Sequence, residues 1–312
     1  MASITTKLGH YAMIFFMDGV GLGGDDPKVN PFLTANVPNF RRLAGAETFT
    51  YHTETYIGPS NSFVPTDAGV GVDGLPQSAT GQAMILCGRN VSAAIGEHYG
   101  PKPNQAVRDE LAKGTLFDQV AEAGGKAALL TPYPEGYFQA VNSGRRLYSS
   151  VPQAVVNAGL SLYGVDELRA GKAISPDFTN EGWVTMLGYD DLPQYSYQSA
   201  GETLAQIAST YQFSFFEHWL SDRFGHRGSL EDAVAHLEKI DQVVGALFDA
   251  WPQKDGLLII TSDHGNIEDK SRRNHTANPV PTILIGEGHA TYAPMIRDLT
   301  DIAKVIAMHL GI

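Results

Sequence analysis

The sequence has little cysteine, little positive charge and no long apolar run near its start. Its 312 residues include one cysteine, Cys87, which excludes an intramolecular disulfide and is typical of a reducing compartment. Acidic residues outnumber basic ones by 34 to 22, and the net charge of −12 argues against nucleic acid or an anionic membrane as a partner. The apolar run at residues 11–17 is too short to span a bilayer and lacks a signal-peptide layout. We therefore expect a soluble, cytoplasmic protein.

Strand-like and helix-like patterns alternate along most of the chain. Apolar or strand-forming runs predict strands at residues 13–17, 127–130, 213–220, 256–261 and 282–285. Amphipathic spacing predicts helices at residues 115–124, 199–211, 230–247 and 301–310. This alternation is typical of an α/β fold with a mostly parallel sheet flanked by helices. Residues 25–72 are expected to be loops around one short helix at 37–43, and residues 89–114 to be loop throughout.

Residues 132–198 have a different character from the rest of the chain. Aromatic residues are scattered among proline and glycine, and no helix or strand period can be read. We interpret this segment as a small cap inserted into a core formed by residues 1–131 and 199–312. Loops packed on the edge of the core are the alternative. The segment has few basic residues: Arg145 and Arg146, which could bind a substrate anion or be a solvated pair, and Arg169 and Lys172.

Ser78 lies between a turn and a buried helix. Gly74 and Pro76 mark the turn, and the apolar run at residues 83–87 follows. Serine is a preferred N-cap, and the start of a helix offers free backbone N–H groups and a partial positive charge. Such a position suits an oxyanion or a phosphate. The simpler interpretation is that Ser78 only caps the helix.

Carboxylate and imidazole side chains follow three of the predicted strands. The set consists of Asp18, Asp222, His226, Asp263, His264 and His275. Because parallel strands place their carboxyl ends at one edge of a sheet, these side chains should meet there. A lone Asp–His pair is usually structural, but three of each with no thiolate suit Zn or Mn. Together with Ser78 they are too many for one tetrahedral ion, so the sequence predicts two divalent ions.

The motifs around these residues resemble those of one enzyme superfamily. They are Asp18-Gly, Ser78-x-x-Gly, Asp222-x-x-Gly-His226-x-Gly, Asp263-His264-Gly-Asn and His275-Thr-x-Asn-Pro-Val-Pro. Together they resemble the alkaline phosphatase superfamily, and most of all its branch of cofactor-independent phosphoglycerate mutase and phosphopentomutase. The resemblance covers about residues 1–130 and 199–312 and implies the alkaline-phosphatase-like fold.

The resemblance also implies roles for individual residues. Asp222, His226 and His275 would hold one ion, and Asp18, Asp263 and His264 the other. Ser78 would be the nucleophile that bridges toward the second ion, and Thr80 is the rival. Gln82 departs from the pattern, since the mutases usually have histidine there. The inserted segment is also much shorter than in the mutases and has fewer arginines.

Hydrolysis is the expected reaction, because a small cap is poorly suited to holding a phosphorylated enzyme away from water. We expect a two-metal phosphohydrolase that acts on a small phosphate ester through a phosphoserine intermediate. The alternatives are an intramolecular phosphotransferase of the phosphoglycerate mutase or phosphopentomutase type and a non-catalytic metal-binding protein. Candidate substrate contacts are His98, Arg223, Arg227, Asn266, Arg272 and Arg273.

Overall fold

A computed structural model describes residues 9–312 of the chain. Within that range seven strands form one sheet: β1 Tyr11–Met17, β2 Tyr56–Ile57, β3 Asn61–Thr66, β4 Ala127–Leu129, β5 Phe213–His218, β6 Gly256–Thr261 and β7 Val280–Gly286. The helices that surround it are α1 Pro38–Ala44, α2 Ser78–Cys87, α3 Val91–Ile95, α4 Gln105–Leu111, α5 Leu116–Glu122, α6 Glu135–Asn142, α7 Ser150–Asn157, α8 Val165–Arg169, α9 Glu181–Leu187, α10 Tyr197–Ala208, α11 Leu220–Arg227, α12 Leu230–Ala250, α13 His289–Tyr292 and α14 Thr300–Leu310.

The sheet is parallel at its centre and antiparallel toward one edge. Its strand order is β2-β3-β7-β6-β1-β5-β4. The neighbouring strands β4, β5, β1 and β6 are parallel, whereas β7, β3 and β2 pair antiparallel. The first strand lies between β5 and β6, so the carboxyl ends of these three strands lie side by side. The predicted α/β fold with a mostly parallel, helix-flanked sheet is confirmed.

Helices cover both faces of the sheet, and alternate residues of each strand bury against opposite layers. On β1, Ile14 and Phe16 pack with α2 and α14, whereas Met13 and Phe15 pack with α10 and α12. Every residue of β5 and β6 is buried, as expected for strands covered on both faces. Helix α2 is buried along its whole length and ends at Gly88, whose φ of 65° provides the left-handed cap.

Two segments expected to be loops contain regular structure. Residues 89–114 include α3 and α4, whose first turns are capped by the side chains of Asn90 and Asn104. Residues 25–72 include β2 and β3 in addition to the expected short helix. The loop prediction was wrong here because such short elements depend on tertiary burial, as at Val107 and Phe63, more than on their own periodicity.

Residues 132–198 fold into the four short helices α6–α9. Val151, Ala154 and Val155 of α7 join the same apolar cluster as Leu129 of the sheet. A small separate cluster is formed by Leu168, Ala173, Trp183 and Leu192. The first half of the segment therefore packs directly on the core, and the proposed boundaries of a cap at residues 132 and 198 stay a prediction.

Candidate metal centre and active site

Six candidate ligands converge at the carboxyl ends of the three central strands. Asp18 directly follows β1, and Asp263 and His264 follow β6. Asp222 and His226 lie one helical turn apart on α11, which begins two residues after β5. The loop that carries His275 is tied to this edge by backbone pairing between Gly265 and Thr276.

One cluster consists of Asp18, Asp263, His264 and Ser78. The Nε2 atom of His264 lies 3.3 Å from Oδ1 of Asp18 and 3.6 Å from Oδ2 of Asp263. Ser78 places its Oγ 3.0 Å from the same nitrogen. The serine thus points its hydroxyl into the group that the sequence assigned to the second ion.

The other cluster consists of Asp222, His226 and His275. The Nε2 atoms of the two histidines lie 3.3 Å apart. They also lie 3.4 Å and 3.7 Å, respectively, from the carboxylate oxygens of Asp222. The His264 and His275 rings stack with centroids 3.7 Å apart, so the two clusters adjoin at this pair.

Backbone carbonyls fix the orientation of two of these histidines. Nδ1 of His226 lies 2.6 Å from the carbonyl of Arg273, and Nδ1 of His275 lies 2.9 Å from that of Pro76. Because a carbonyl can only accept, each Nδ1 carries the hydrogen. In the neutral rings both Nε2 lone pairs therefore face Asp222, which is the arrangement that holds histidine ligands on a metal ion.

Within residues 9–312, each buried carboxylate of the first cluster has one oxygen that only Nε2 of His264 approaches, at 3.3 Å for Asp18 and 3.6 Å for Asp263. Oδ1 of Asp18 and Oδ2 of Asp263 are buried without a hydrogen-bond partner. Burial and the charge of neighbouring carboxylates raise the pKa of both groups well above the usual range. Burial and the nearby His264 lower the pKa of His275 to about 4. Burial lowers the pKa of His264, but the hydrogen bond to Asp18 and the charges of Asp18 and Asp222 outweigh it and raise that pKa. Closely spaced carboxylates and imidazoles are the ligands that a divalent cation prefers, so the side chains fit the predicted ions.

Two residues behind the ligands hold the centre in place. Nδ2 of Asn266 donates to Oδ1 of Asp222 at 2.6 Å, so this predicted substrate contact lies behind a ligand instead. Glu268, which the sequence reasoning missed, accepts from the backbone N–H groups of Gly21 and Asn266 and from the hydroxyl of Thr276. It joins the loops after β1 and β6. The one feature of the sequence that could have indicated its role is its position two residues after Asn266 in the same loop.

Ser78 is the first residue of α2, and Gln77 occupies the N-cap position. The expectation that Ser78 caps the helix is therefore wrong by one residue: its hydroxyl contacts His264 and makes no cap bond. The rival nucleophile Thr80 is fully buried and donates to the carbonyl of Gln77 at 3.2 Å. Gln82 approaches the centre, with Nε2 3.5 Å from Oδ2 of Asp18. The geometry favours Ser78 as the nucleophile, because it lines the cavity and Thr80 does not.

A cavity of about 700 Å³ opens onto both clusters. From the ligand set it is lined by Asp18, Ser78, Asp222 and His226. Beside them lie Gln82, Arg223 and Arg227. The rest of the wall is formed by Pro101, Lys102, Tyr133, Tyr137, Arg146, Ser149, Glu217 and Trp219. The cavity thus combines the candidate ligands with cations and aromatic groups, some from residues 132–198.

The other candidate substrate contacts do not line this cavity. His98 lies against Ser92 and the carbonyl of Val72, at 3.1 Å and 3.2 Å. Arg272 pairs with Asp269 at 2.8 Å, and Arg273 contributes its backbone carbonyl to His226. Of the predicted substrate contacts, Arg223 and Arg227 line the cavity, and so does Arg146 of the pair that could bind a substrate anion.

Comparison with known proteins agrees with this geometry. The sequence profile of the metalloenzyme superfamily matches residues 10–312. The chain belongs to the metalloenzyme superfamily. Curated relatives include the 2,3-bisphosphoglycerate-independent phosphoglycerate mutases of Cereibacter sphaeroides and a Picosynechococcus species, which are 33% and 34% identical over 132 and 140 residues. Each match covers 40% of this chain and only 26% or 27% of the relative.

Solved structures show the same fold. PH0037 protein from Pyrococcus horikoshii superposes with a TM-score of 0.57 at 15% identity, covering 97% of both chains. Alkaline phosphatase from the Antarctic bacterium TAB5 gives a TM-score of 0.52 at 12% identity, covering 96% of this chain and 98% of that one. The family profile and the phosphoglycerate mutase relatives, together with this shared fold, confirm the resemblance to the alkaline phosphatase superfamily and its phosphoglycerate-mutase-like branch.

None of the helices within residues 9–312 combines the length and apolar character needed to cross a membrane.

Proposed function

We propose that the protein is a two-metal phosphohydrolase that acts on a small phosphate ester through a phosphoserine intermediate. The observation that carries this proposal is the position of Ser78. Its hydroxyl lies 3.0 Å from Nε2 of His264, inside the cluster with Asp18 and Asp263, and it also lines the open cavity. A hydroxyl that touches both a candidate ligand group and the substrate space is placed to act as a nucleophile.

The residues present would hold two divalent cations, Zn or Mn. Asp18, Asp263 and His264 would hold one ion, and Asp222, His226 and His275 the other. When bound, such ions neutralise phosphate charge, lower the pKa of the serine hydroxyl and stabilise the attacking and leaving oxygens. Arg223 and Arg227 at the cavity wall would add positive charge toward the phosphate oxygens.

Ser78 would carry the reaction in two displacements. In the first, Oγ forms a bond to phosphorus as the ester P–O bond breaks, and the proton lost by the serine ends on the released alcohol. In the second, water attacks the phosphoserine, the Oγ–P bond breaks, and inorganic phosphate leaves with the serine restored. Ser78 is the first residue of α2, and the partial positive charge at the start of a helix favours the negative charge that the phosphoryl group brings.

A phosphoglycerate-mutase-like phosphotransferase is the second candidate, and the names of the curated relatives favour it. The phosphohydrolase is supported by the short segment 132–198, which leaves the cavity open to solvent at exposed Arg146. A mutase must return the phosphoryl group to the same substrate before water reaches it. A non-catalytic metal-binding protein is the third candidate.

The test is phosphate release by the wild type, Ser78→Ala and Thr80→Val, each loaded with Mn or Zn. The substrates are an aryl phosphate, an aryl phosphodiester, an aryl sulfate and 3-phosphoglycerate, with formation of 2-phosphoglycerate followed separately. We expect free phosphate from the wild type and Thr80→Val and a loss of at least a thousandfold in Ser78→Ala, because removing a covalent nucleophile removes the whole route. Acid quenching should trap phosphate on the peptide that contains Ser78.

Other outcomes would select another function. Isomerised glycerate without free phosphate would replace the hydrolase with the mutase. Full activity in Ser78→Ala with loss in Thr80→Val would transfer the nucleophile to the threonine. Absence of turnover and of trapped phosphoserine, in protein that binds the metal, would favour the non-catalytic candidate.

A further inference from the structure

Glu217 is a buried carboxylate in the cavity wall that is not among the candidate ligands. It pairs in register with Phe16 on β1, so it lies on the neighbouring strand to Asp18. Side chains alternate along a strand, and Phe16 and Asp18 are two residues apart, which places Glu217 and Asp18 on the same face of the sheet. Glu217 is only 3% exposed, yet it lines the cavity.

Only one of the two carboxylate oxygens of Glu217 is paired. Oε2 accepts a hydrogen bond from the hydroxyl of Tyr133 at 2.8 Å, and the backbone N–H and C=O of Glu217 both bond to the hydroxyl of Thr131. Within residues 9–312 no group donates to Oε1. Oε1 is not one of the fully enclosed atoms without a partner, so it is open to the cavity that Glu217 lines, where a ligand can reach it.

Two cations lie near this carboxylate without pairing with it. Lys102 and Arg146 line the same cavity, and neither forms an ion pair within residues 9–312. The guanidinium of Arg146 lies 4.8 Å from the centre of the Tyr137 ring. Burial raises the pKa of Glu217, whereas the hydrogen bond from Tyr133 and the charges of Lys102 and Arg146 favour its ionised form.

These surroundings restrict what can bind to Oε1. An ammonium group would be attracted by the carboxylate but repelled by the two cations, and an anion would meet the reverse, so neither charge is clearly favoured at Oε1. A hydroxyl group suits the position in either protonation state, because it can donate to the carboxylate or accept from the carboxylic acid. The cavity connects this position to Ser78, so one small molecule can reach both.

We propose that Glu217, positioned by Tyr133, binds a second hydroxyl group on the alcohol part of the substrate. The substrate class is therefore the phosphate monoester of a diol or polyol. This inference rests on the proposed function, because it takes the phosphate to be held at Ser78. Glu217 is a specificity-determining residue and takes no part in the displacement at phosphorus.

The test compares glycerol 1-phosphate with propyl phosphate, which has the same carbon skeleton without the two free hydroxyl groups. Phosphate release is measured with wild type, Glu217→Gln, Glu217→Met and Glu135→Met. The last variant makes the same chemical change at an exposed position on α6, outside the cavity. Calorimetric titration of the metal-loaded Ser78→Ala variant with both esters, with and without Glu217→Met, measures binding without turnover.

We expect the wild type and Glu135→Met to prefer glycerol 1-phosphate by roughly tenfold to a hundredfold in kcat/KM, since a hydrogen bond to a charged group has about this effect. The preference should fall to about twofold in Glu217→Met and be partly retained in Glu217→Gln, which keeps an acceptor. Activity on propyl phosphate should fall much less in Glu217→Met than activity on glycerol 1-phosphate, because propyl phosphate has no hydroxyl group for Glu217 to bind. The dissociation constants in the Ser78→Ala background should differ in the same direction and lose the difference with Glu217→Met.

Equal turnover and equal binding of the two esters by protein with intact Glu217 would overturn the inference. So would an equal loss of activity on both esters in Glu217→Met, which would indicate a structural role. Failure of the wild type on every ester, aryl phosphate included, would instead count against the proposed phosphohydrolase. A binding preference for glycerol 1-phosphate would then still support the hydroxyl site.

Discussion

Asp263→Asn should change the stability of the protein in opposite directions with and without metal. In the metal-free protein, Asp263 is fully buried, its Oδ1 accepts from the N–H of Gly19 at 3.3 Å, and its Oδ2 has no partner. Burial and the charge of Asp222 raise its pKa, so ionisation at neutral pH destabilises the fold. A neutral amide of the same shape removes that charge.

The size of the change in stability, without metal and with metal, can be worked out from the structure. Burying a charged group without a partner costs more than burying a neutral amide in the same place, so the metal-free variant should gain roughly 2 kcal/mol. At about 2 °C for each kcal/mol in a chain of this size, its Tm should rise by about 4 °C. Each ion at a hundred times its dissociation constant adds about 2.7 kcal/mol, so two ions should raise the wild-type Tm by about 10 °C. The variant should show about half of that shift or less.

Thermal unfolding of chelator-treated and Mn- or Zn-loaded protein measures both quantities. Asp190→Asn is the matched control, because Asp190 is exposed and outside the centre, and its Tm should follow the wild type under both conditions. The raised pKa of Asp263 also sets a pH dependence. As the pH rises above about 4, Asp263 loses its proton in the unfolded state before it does so in the folded state, and the folded state therefore becomes less stable. This loss of stability should be absent from Asp263→Asn. A metal-free variant less stable than the wild type, or an undiminished metal shift, would refute the reasoning.

Three further predictions concern the support of the centre, acid stability and the core. Asn266→Ala removes the hydrogen bond to Asp222 and should weaken metal binding by roughly 10- to 100-fold in a competition titration; an unchanged affinity would contradict the positioning role. Burial lowers the pKa of His236 to about 2 and that of its partner His218 to about 4, so the stability they confer is present above about pH 6.5 and falls with decreasing pH. In His236→Gln the slope of unfolding free energy between pH 6 and 4 should decrease by about 1.4 kcal/mol per pH unit, as denaturant titrations at several pH values would show, and an unchanged slope would exclude this contribution. Phe15→Ala should lower the unfolding free energy by about 3–5 kcal/mol with the metal affinity retained, and a loss under 1 kcal/mol would mean that the cavity collapses.

The centre could be predicted well from the sequence because its ligands come directly after strongly apolar strands. The run 256–261 ends in Asp263 and His264, and the run 13–17 ends in Asp18, so strand recognition alone placed these side chains at one sheet edge. The spacing of Asp222 and His226 likewise fixed their common side of a helical turn. In each case the signal is local in the chain.

The part of the cavity wall around Glu217 could not be predicted in this way. Glu217 lies within a run of strand formers, and nothing in its neighbours distinguishes it from an exposed strand residue. Its partner Tyr133 and the cations Lys102 and Arg146 come from segments far away in the chain. These residues lie in segments 89–114 and 132–198, in which no helix or strand period could be read, and they meet only when both segments pack over the sheet.

The sequence by itself determined the α/β alternation, the central strands and the identity of the clustered carboxylates and imidazoles. These depend on apolar periodicity and on the order of residues at strand ends. The tertiary structure alone decided which hydroxyl faces the centre, which arginines reach the cavity and which residues stand behind the ligands. Those properties depend on helix orientation and on contacts between distant segments. Ser78 and Thr80 show this: two hydroxyl side chains two residues apart end with one at the centre and the other bonded to a backbone carbonyl.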